Sequence, residues 1–140
     1  PGETVIEIGA GVGPGTVFMA KNNPQSRIYA VEIVPEQVAL LRRNVAAHGL
    51  ENVVVREGSL FEPLKEGIKA EVIVSDASGM NGVGVPLGWY TKSVPLGGDD
   101  GTSVTVPLIE QARGNLKIEY INARLYFPVV CCFSDRDKIC

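Results

Sequence analysis

Apolar residues in this chain are grouped in two ways. Val5, Ile6 and Ile8, and later Val72, Ile73 and Val74, form short, nearly continuous runs. Runs of that kind suit strands buried on both faces of a sheet. Between Pro35 and Leu50 the spacing lengthens to a helical one. Val38, Leu41, Val45 and His48 mark one face, and Leu40, Asn44 and Ala47 another. Pro35 fits the first turn of this helix and Gly49 its stop. Along the whole chain the pattern predicts strands over 4–8, 28–32, 52–57, 71–75 and 122–133. It predicts helices over 14–22, 35–48 and 103–116, the last capped by Thr102 or Ser103 after a solvated turn at Asp99 and Asp100. Strands alternating with helices imply an α/β domain, with a mostly parallel sheet and helices on both faces.

The chemistry gathers where the first strand ends. Glu7, Gly9, Gly11 and Gly13 follow the spacing Glu-x-Gly-x-Gly-x-Gly. Glycine lets backbone approach a ligand closely and adopts positive φ at little cost. A dinucleotide fingerprint needs its third glycine three places after the second, where this chain has Pro14. A carboxylate at Glu7 also repels a pyrophosphate and attracts an ammonium or sulfonium group. Both points argue against an NAD-dependent oxidoreductase. Glu32 ends the second strand about 20 residues beyond the glycine loop, the distance at which an acid accepts hydrogen bonds from ribose hydroxyls. Glu7 has a plainer reading as a cap for neighbouring backbone amides.

Taken in order, these motifs resemble the class I S-adenosylmethionine-dependent methyltransferases, and the resemblance runs along nearly the whole chain. It implies a three-layer, Rossmann-like, doubly wound sheet that binds S-adenosylmethionine and releases S-adenosylhomocysteine. It places Glu7, Gly9, Ala10, Gly11 and Gly13 at the amino-acid end of that cofactor, Glu32 at the ribose, and Ile33, Ser59 and Leu60 around the adenine. Many relatives carry Asp where this chain has Ser59, which bonds through its hydroxyl or leaves the contact to the Leu60 amide. Asp76 ends the fourth strand beside the reacting methyl group, as a cofactor contact, as an acceptor-orienting group or weak base, or merely as the end of the strand. Ala77-Ser78-Gly79 stands where amino-group methyltransferases carry two prolines and an aromatic. That departure weakens a glutamine- or adenine-amino acceptor reading. Ser78, with Trp89 and Tyr90 from the Gly- and Pro-rich stretch 79–101, forms the expected acceptor side. Trp89 and Tyr90 read equally well as an anchor holding that stretch on the core.

Composition adds bounds. The chain has 140 residues, 45% of them apolar and 21% charged, as expected of one globular domain. A net charge of −3 gives no overall basic footprint for nucleic acid and leaves a local basic patch open. No apolar run reaches the ~20 residues of a membrane span, and no signal or transit peptide is read. The expected location is cytoplasmic, with Cys131, Cys132 and Cys140 as free thiols. A single histidine and no Cys-x-x-Cys argue against a metal site. The family adds a helix and an antiparallel strand pair after its fifth strand. Their expected absence leaves an open sheet edge, for a second copy or a missing domain to cover. The expected activity is methyl transfer to a protein, an RNA or a small molecule. The alternative is a methyltransferase-fold module that binds without transferring.

Overall fold

The computed structural model describes residues 2–64, 67–76, 97–117, 122–126 and 130–134, the last two ranges by backbone alone. The elements are β1 (Thr4–Ile8), α1 (Pro14–Asn22), β2 (Arg27–Glu32), α2 (Pro35–Ala47), β3 (Val53–Glu57), β4 (Val72–Ser75), α3 (Thr105–Asn115), β5 (Asn122–Tyr126) and β6 (Val130–Ser134). The six strands form one sheet in the order β3-β2-β1-β4-β6-β5. β1 pairs in parallel with β2 and β4, and β2 in parallel with β3.

The register decides which side chains share a face. Val5 lies beside Ile28 and Glu7 beside Ala30, while Ile6 and Ile8 lie beside Tyr29 and Val31. Side chains alternate along a strand, so these are opposite faces of the sheet. On the first face Val5 and Ile28 pack with Ala20 of α1, and Ala30 packs with Leu41 of α2. On the second, Ile6, Ile8, Val31 and Ile73 pack with Leu108 and Ala112 of α3, and with Phe61 and Leu64. The three layers are therefore α1 and α2, the sheet, and α3. Glu7 falls on the α1–α2 side, within the core and 7% exposed. On α2 the stripe carrying Val38 and Leu41 turns inward, both 0% exposed, while Leu40 faces outward. α3 begins with Val104 as its cap residue and without a side-chain cap bond. The Thr102 hydroxyl donates instead to Asp100, closing the turn before the helix.

One expected element differs. The strand read over 122–133 is two strands, β5 and β6, paired antiparallel. β6 also pairs antiparallel with β4, so the parallel part of the sheet stops at β4. Pro128 lies between the two strands in sequence, and proline lacks the N–H that a continuous inner strand needs. Antiparallel strand pairing, which the sequence reading expected to be absent, is thus present here in β6, and β3 and β5 form the two edges of the sheet among the described residues.

Ile6 occupies the middle of β1 and is wholly buried. Ile6→Ala leaves a cavity between β1 and α3 and should lower stability by about 2–5 kcal/mol. Urea unfolding checks this as a fall in midpoint at unchanged slope.

Candidate functional site

The site stands at the carboxyl ends of β1, β2, β3 and β4, where the strand order turns on either side of β1. In open α/β sheets, ligands bind at that kind of position. Gly9 and Ala10 donate their N–H groups to the Val31 carbonyl at 2.9 and 3.0 Å, which ties the glycine loop to the end of β2. Gly58 donates to the Glu32 carbonyl at 3.0 Å, bringing Ser59 and Leu60 to the same rim. Asp76 donates its N–H to the Ile8 carbonyl at 3.3 Å, and its side chain is exposed there. Leu60 is the one non-glycine residue with positive φ among the described residues, at 47°.

Glu32 is held from three directions. Its Oε2 accepts the Gly11 N–H at 2.8 Å, and its Oε1 accepts the Ile33 and Val34 N–H groups, each at 2.8 Å. A carboxylate offers about four acceptor positions, so one remains, on Oε2. Beside it the Ile33 side chain stands out from the strand end, 43% exposed, and Val12 of the glycine loop is 40% exposed.

The three motif glycines all take positive φ, 78° at Gly9, 58° at Gly11 and 94° at Gly13, but for different reasons. A Cβ on Gly13 would run into Leu41 Cδ1 of α2, so this glycine lets the loop seat on the helix. A Cβ on Gly11 would meet only Gln37 Oε1, at 3.7 Å, and otherwise points into open space. Gly11 is therefore required by its own backbone conformation, and the position its Cβ would take faces open space. Asn44 adds a tie from α2, donating to the Val12 carbonyl at 2.8 Å.

Glu7 lies beneath the loop. Its Oε2 accepts the Thr16 hydroxyl, and Thr16 is 0% exposed. A Cβ on Gly15 would come within 2.6 Å of Glu7 Oε1, so the end of the carboxyl group lies against the bare backbone there. Burial pushes the Glu7 pKa up to about 7; the Thr16 hydroxyl acts downward, and the negative charge of Asp76 adds to the rise. Glu7 thus carries only part of a charge near neutrality. It acts from under the glycine loop rather than from the loop surface.

The structure thus brings together Glu7, Gly9, Ala10, Gly11, Gly13, Glu32, Ile33, Ser59, Leu60 and Asp76 at one end of the sheet. Ser78, Trp89 and Tyr90 lie outside the described residues. Sequence reading missed Gly15, Thr16, Leu41 and Asn44. A signal for Thr16 was available: a carboxylate in a buried strand needs a partner, and Thr16 is the polar residue in the first turn of α1. A groove lined by Lys21, Pro24, Leu50 and Asn52 opens at the opposite end of the sheet, and no expected site residue borders it. Among the described residues no cluster of metal-ligating side chains occurs, and no helix is long and apolar enough to cross a membrane.

Residues 1–80 match the TRM5/TYW2 methyltransferase domain. The chain belongs to that family. Its relatives include a release factor glutamine methyltransferase of Geobacter sulfurreducens, 42% identical over 72 residues, covering 51% of this chain and 25% of that protein. An uncharacterized RNA methyltransferase of Halalkalibacterium halodurans is 35% identical over 78 residues, covering 53% and 17%. The chain thus spans a quarter or less of the length of these curated relatives. Among solved structures, PKMT2 from Rickettsia typhi in complex with AdoHcy shares the fold with a TM-score of 0.58. The likeness extends over 85% of this chain and 20% of that one, at 20% identity. The class I methyltransferase resemblance and the α/β fold both hold, and the matched family stretch carries the glycine loop, Glu32 and Asp76.

Two measurements test this geometry. Gly11→Ala should lower stability by about 1 kcal/mol, the cost of a side chain at positive φ, while Gly13→Ala should cost several times more because it also displaces Leu41. Thermal unfolding separates the two. Glu7 has a folded pKa of about 7 against its ordinary 4.5, so the folded chain holds that proton more tightly than the unfolded one. This contribution is complete below pH 4.5 and is lost as pH rises through 7. Glu7→Gln stays neutral, and its stability relative to wild type should rise by about 3 kcal/mol between pH 4.5 and pH 8. Denaturation in urea at both pH values checks it.

Proposed function

We propose that this chain is the cofactor-binding core of an S-adenosylmethionine-dependent methyltransferase. The observation that carries the reading is Gly11. Its backbone takes a left-handed conformation, its missing Cβ leaves open space, and its N–H fixes the Glu32 carboxylate at the edge of that space. These residues fit an adenosyl ligand with an amino-acid tail. The acceptor position left on Glu32 Oε2 suits a ribose hydroxyl. The exposed apolar faces of Ile33 and Val12 suit a flat base, with Ser59 and Leu60 on its other side. Gly9, Ala10, Gly11 and Gly13 approach the amino-acid tail, and Glu7 beneath them favours its ammonium group.

When bound, S-adenosylmethionine supplies a methyl group on a sulfonium, already a strong electrophile. The residues of this chain then contribute alignment, which is worth up to about 7–11 kcal/mol in well-oriented reactions. Asp76, exposed at the end of β4, orients an acceptor or takes its proton where that acceptor is protonated at neutral pH. The segment after β4, with Ser78, Trp89 and Tyr90, supplies the acceptor side in this reading. The relatives' names differ in acceptor while their matches to this chain have similar length, which supports reading the shared part as the cofactor half.

Titration calorimetry with S-adenosylhomocysteine tests the proposal. Wild type should bind in the micromolar range and Gly11→Ala at least tenfold more weakly, about 1.4 kcal/mol, while both remain folded by circular dichroism. A folded Gly11→Ala protein with full affinity would remove the assignment.

A further inference from the structure

We infer that Thr16 is a positioning residue for the cofactor's amino-acid end, fixing the Glu7 carboxyl group in a slot that Gly15 leaves open. The inference rests on the cofactor assignment above and adds a residue that the glycine motif does not contain. Thr16 is wholly buried, and its hydroxyl donates to Glu7 Oε2. The other oxygen, Oε1, lies against Gly15, within 2.6 Å of where a Cβ would stand. The carboxyl group is thus hydrogen-bonded through Oε2 and lies close to the Gly15 backbone through Oε1. A larger residue at position 15 would push the end of the Glu7 carboxyl group aside. With an apolar residue at position 16, Glu7 would lose the donor that favours its charged form.

The hydroxyl matters because Glu7 sits near its midpoint of ionisation at neutral pH. The charged group facing it is Asp76 at the end of β4, whose negative charge opposes ionisation; among the described residues Thr16 supplies the side-chain hydrogen bond that favours it. Hydrogen bonds to a charged group are stronger than those between neutral groups, so losing this one favours the protonated carboxyl. Without Thr16, Glu7 therefore stays protonated to higher pH and holds an ammonium group less well at pH 7. Adenine and ribose are held by other residues and should not register the change.

That asymmetry gives the test. S-adenosylhomocysteine carries the amino-acid tail, and 5′-methylthioadenosine lacks it. Thr16→Val keeps the shape and removes the donor, whereas Thr16→Ser keeps the donor. Wild type should bind S-adenosylhomocysteine more tightly as pH rises from 6 to 8. Thr16→Val should bind it about tenfold more weakly at pH 7, recover as pH is raised toward 9, and bind methylthioadenosine like wild type. Thr16→Ser should restore the wild-type pH profile. Equal losses for both ligands would make Thr16 a purely structural residue and overturn the inference, as would a Thr16→Val protein with unchanged S-adenosylhomocysteine affinity between pH 6 and 9. Should Thr16→Val fail to fold, a Thr16→Ser profile displaced from wild type by more than one pH unit overturns it. Wild-type protein that binds neither compound sinks the cofactor assignment itself, and this inference with it.

Discussion

The hydrogen bonds converging on the Glu32 carboxylate are the constraint on which the site depends. The group is buried at the end of β2, where an uncompensated charge would be expensive. It is compensated by backbone N–H groups from two separate turns: Gly11 from the loop after β1, and Ile33 and Val34 from the entry to α2. The same bonds that satisfy the charge hold the two turns together. Gly11 presents this N–H with its backbone at a φ of 58°, a conformation that glycine adopts at little cost. The conformation of the loop, the start of α2 and the position of the remaining acceptor lone pair follow from one arrangement.

The second acid is handled in the opposite way. Glu7 is buried under α1 with a side-chain hydroxyl as partner, and desolvation leaves its proton bound to about pH 7. Two carboxylates separated by one loop therefore have different electrostatic characters. Glu32 accepts three oriented backbone N–H groups. Glu7 receives one hydroxyl and faces the charge of Asp76, which hold a negative charge poorly.

The hydrophobic layers serve this arrangement. α1 and α2 must sit close enough to the sheet for Leu41 to reach Gly13 and for Thr16 to reach Glu7. Asn44 adds a bond from α2 to the Val12 carbonyl. α3 covers the other face, where Leu108 and Ala112 close over Ile6 and Ile73, and that face carries none of the site's carboxylates. The antiparallel β6 extends the sheet beyond β4 without altering the crevice around β1.

Most of this architecture was legible in the residues. The near-continuous apolar runs fixed β1 and β4. The glycine spacing, with Glu7 and Glu32 at their distances, fixed the end of the sheet where a ligand belongs, because backbone conformation and strand burial are local consequences of residue type. Pro128 marked the break within 122–133, but the direction of β6 was not legible, since apolar residues suit a parallel and an antiparallel neighbour equally; only pairing with β4 decides between them. Nor could the sequence say which glycine faces open space and which is packed against a helix. Gly11 and Gly13 look alike until Leu41 arrives from a different helix. The charge on Glu7 was likewise undetermined by sequence. Desolvation depends on what covers a group, and Thr16, Gly15 and Asp76 come to it from other elements only when the chain has folded.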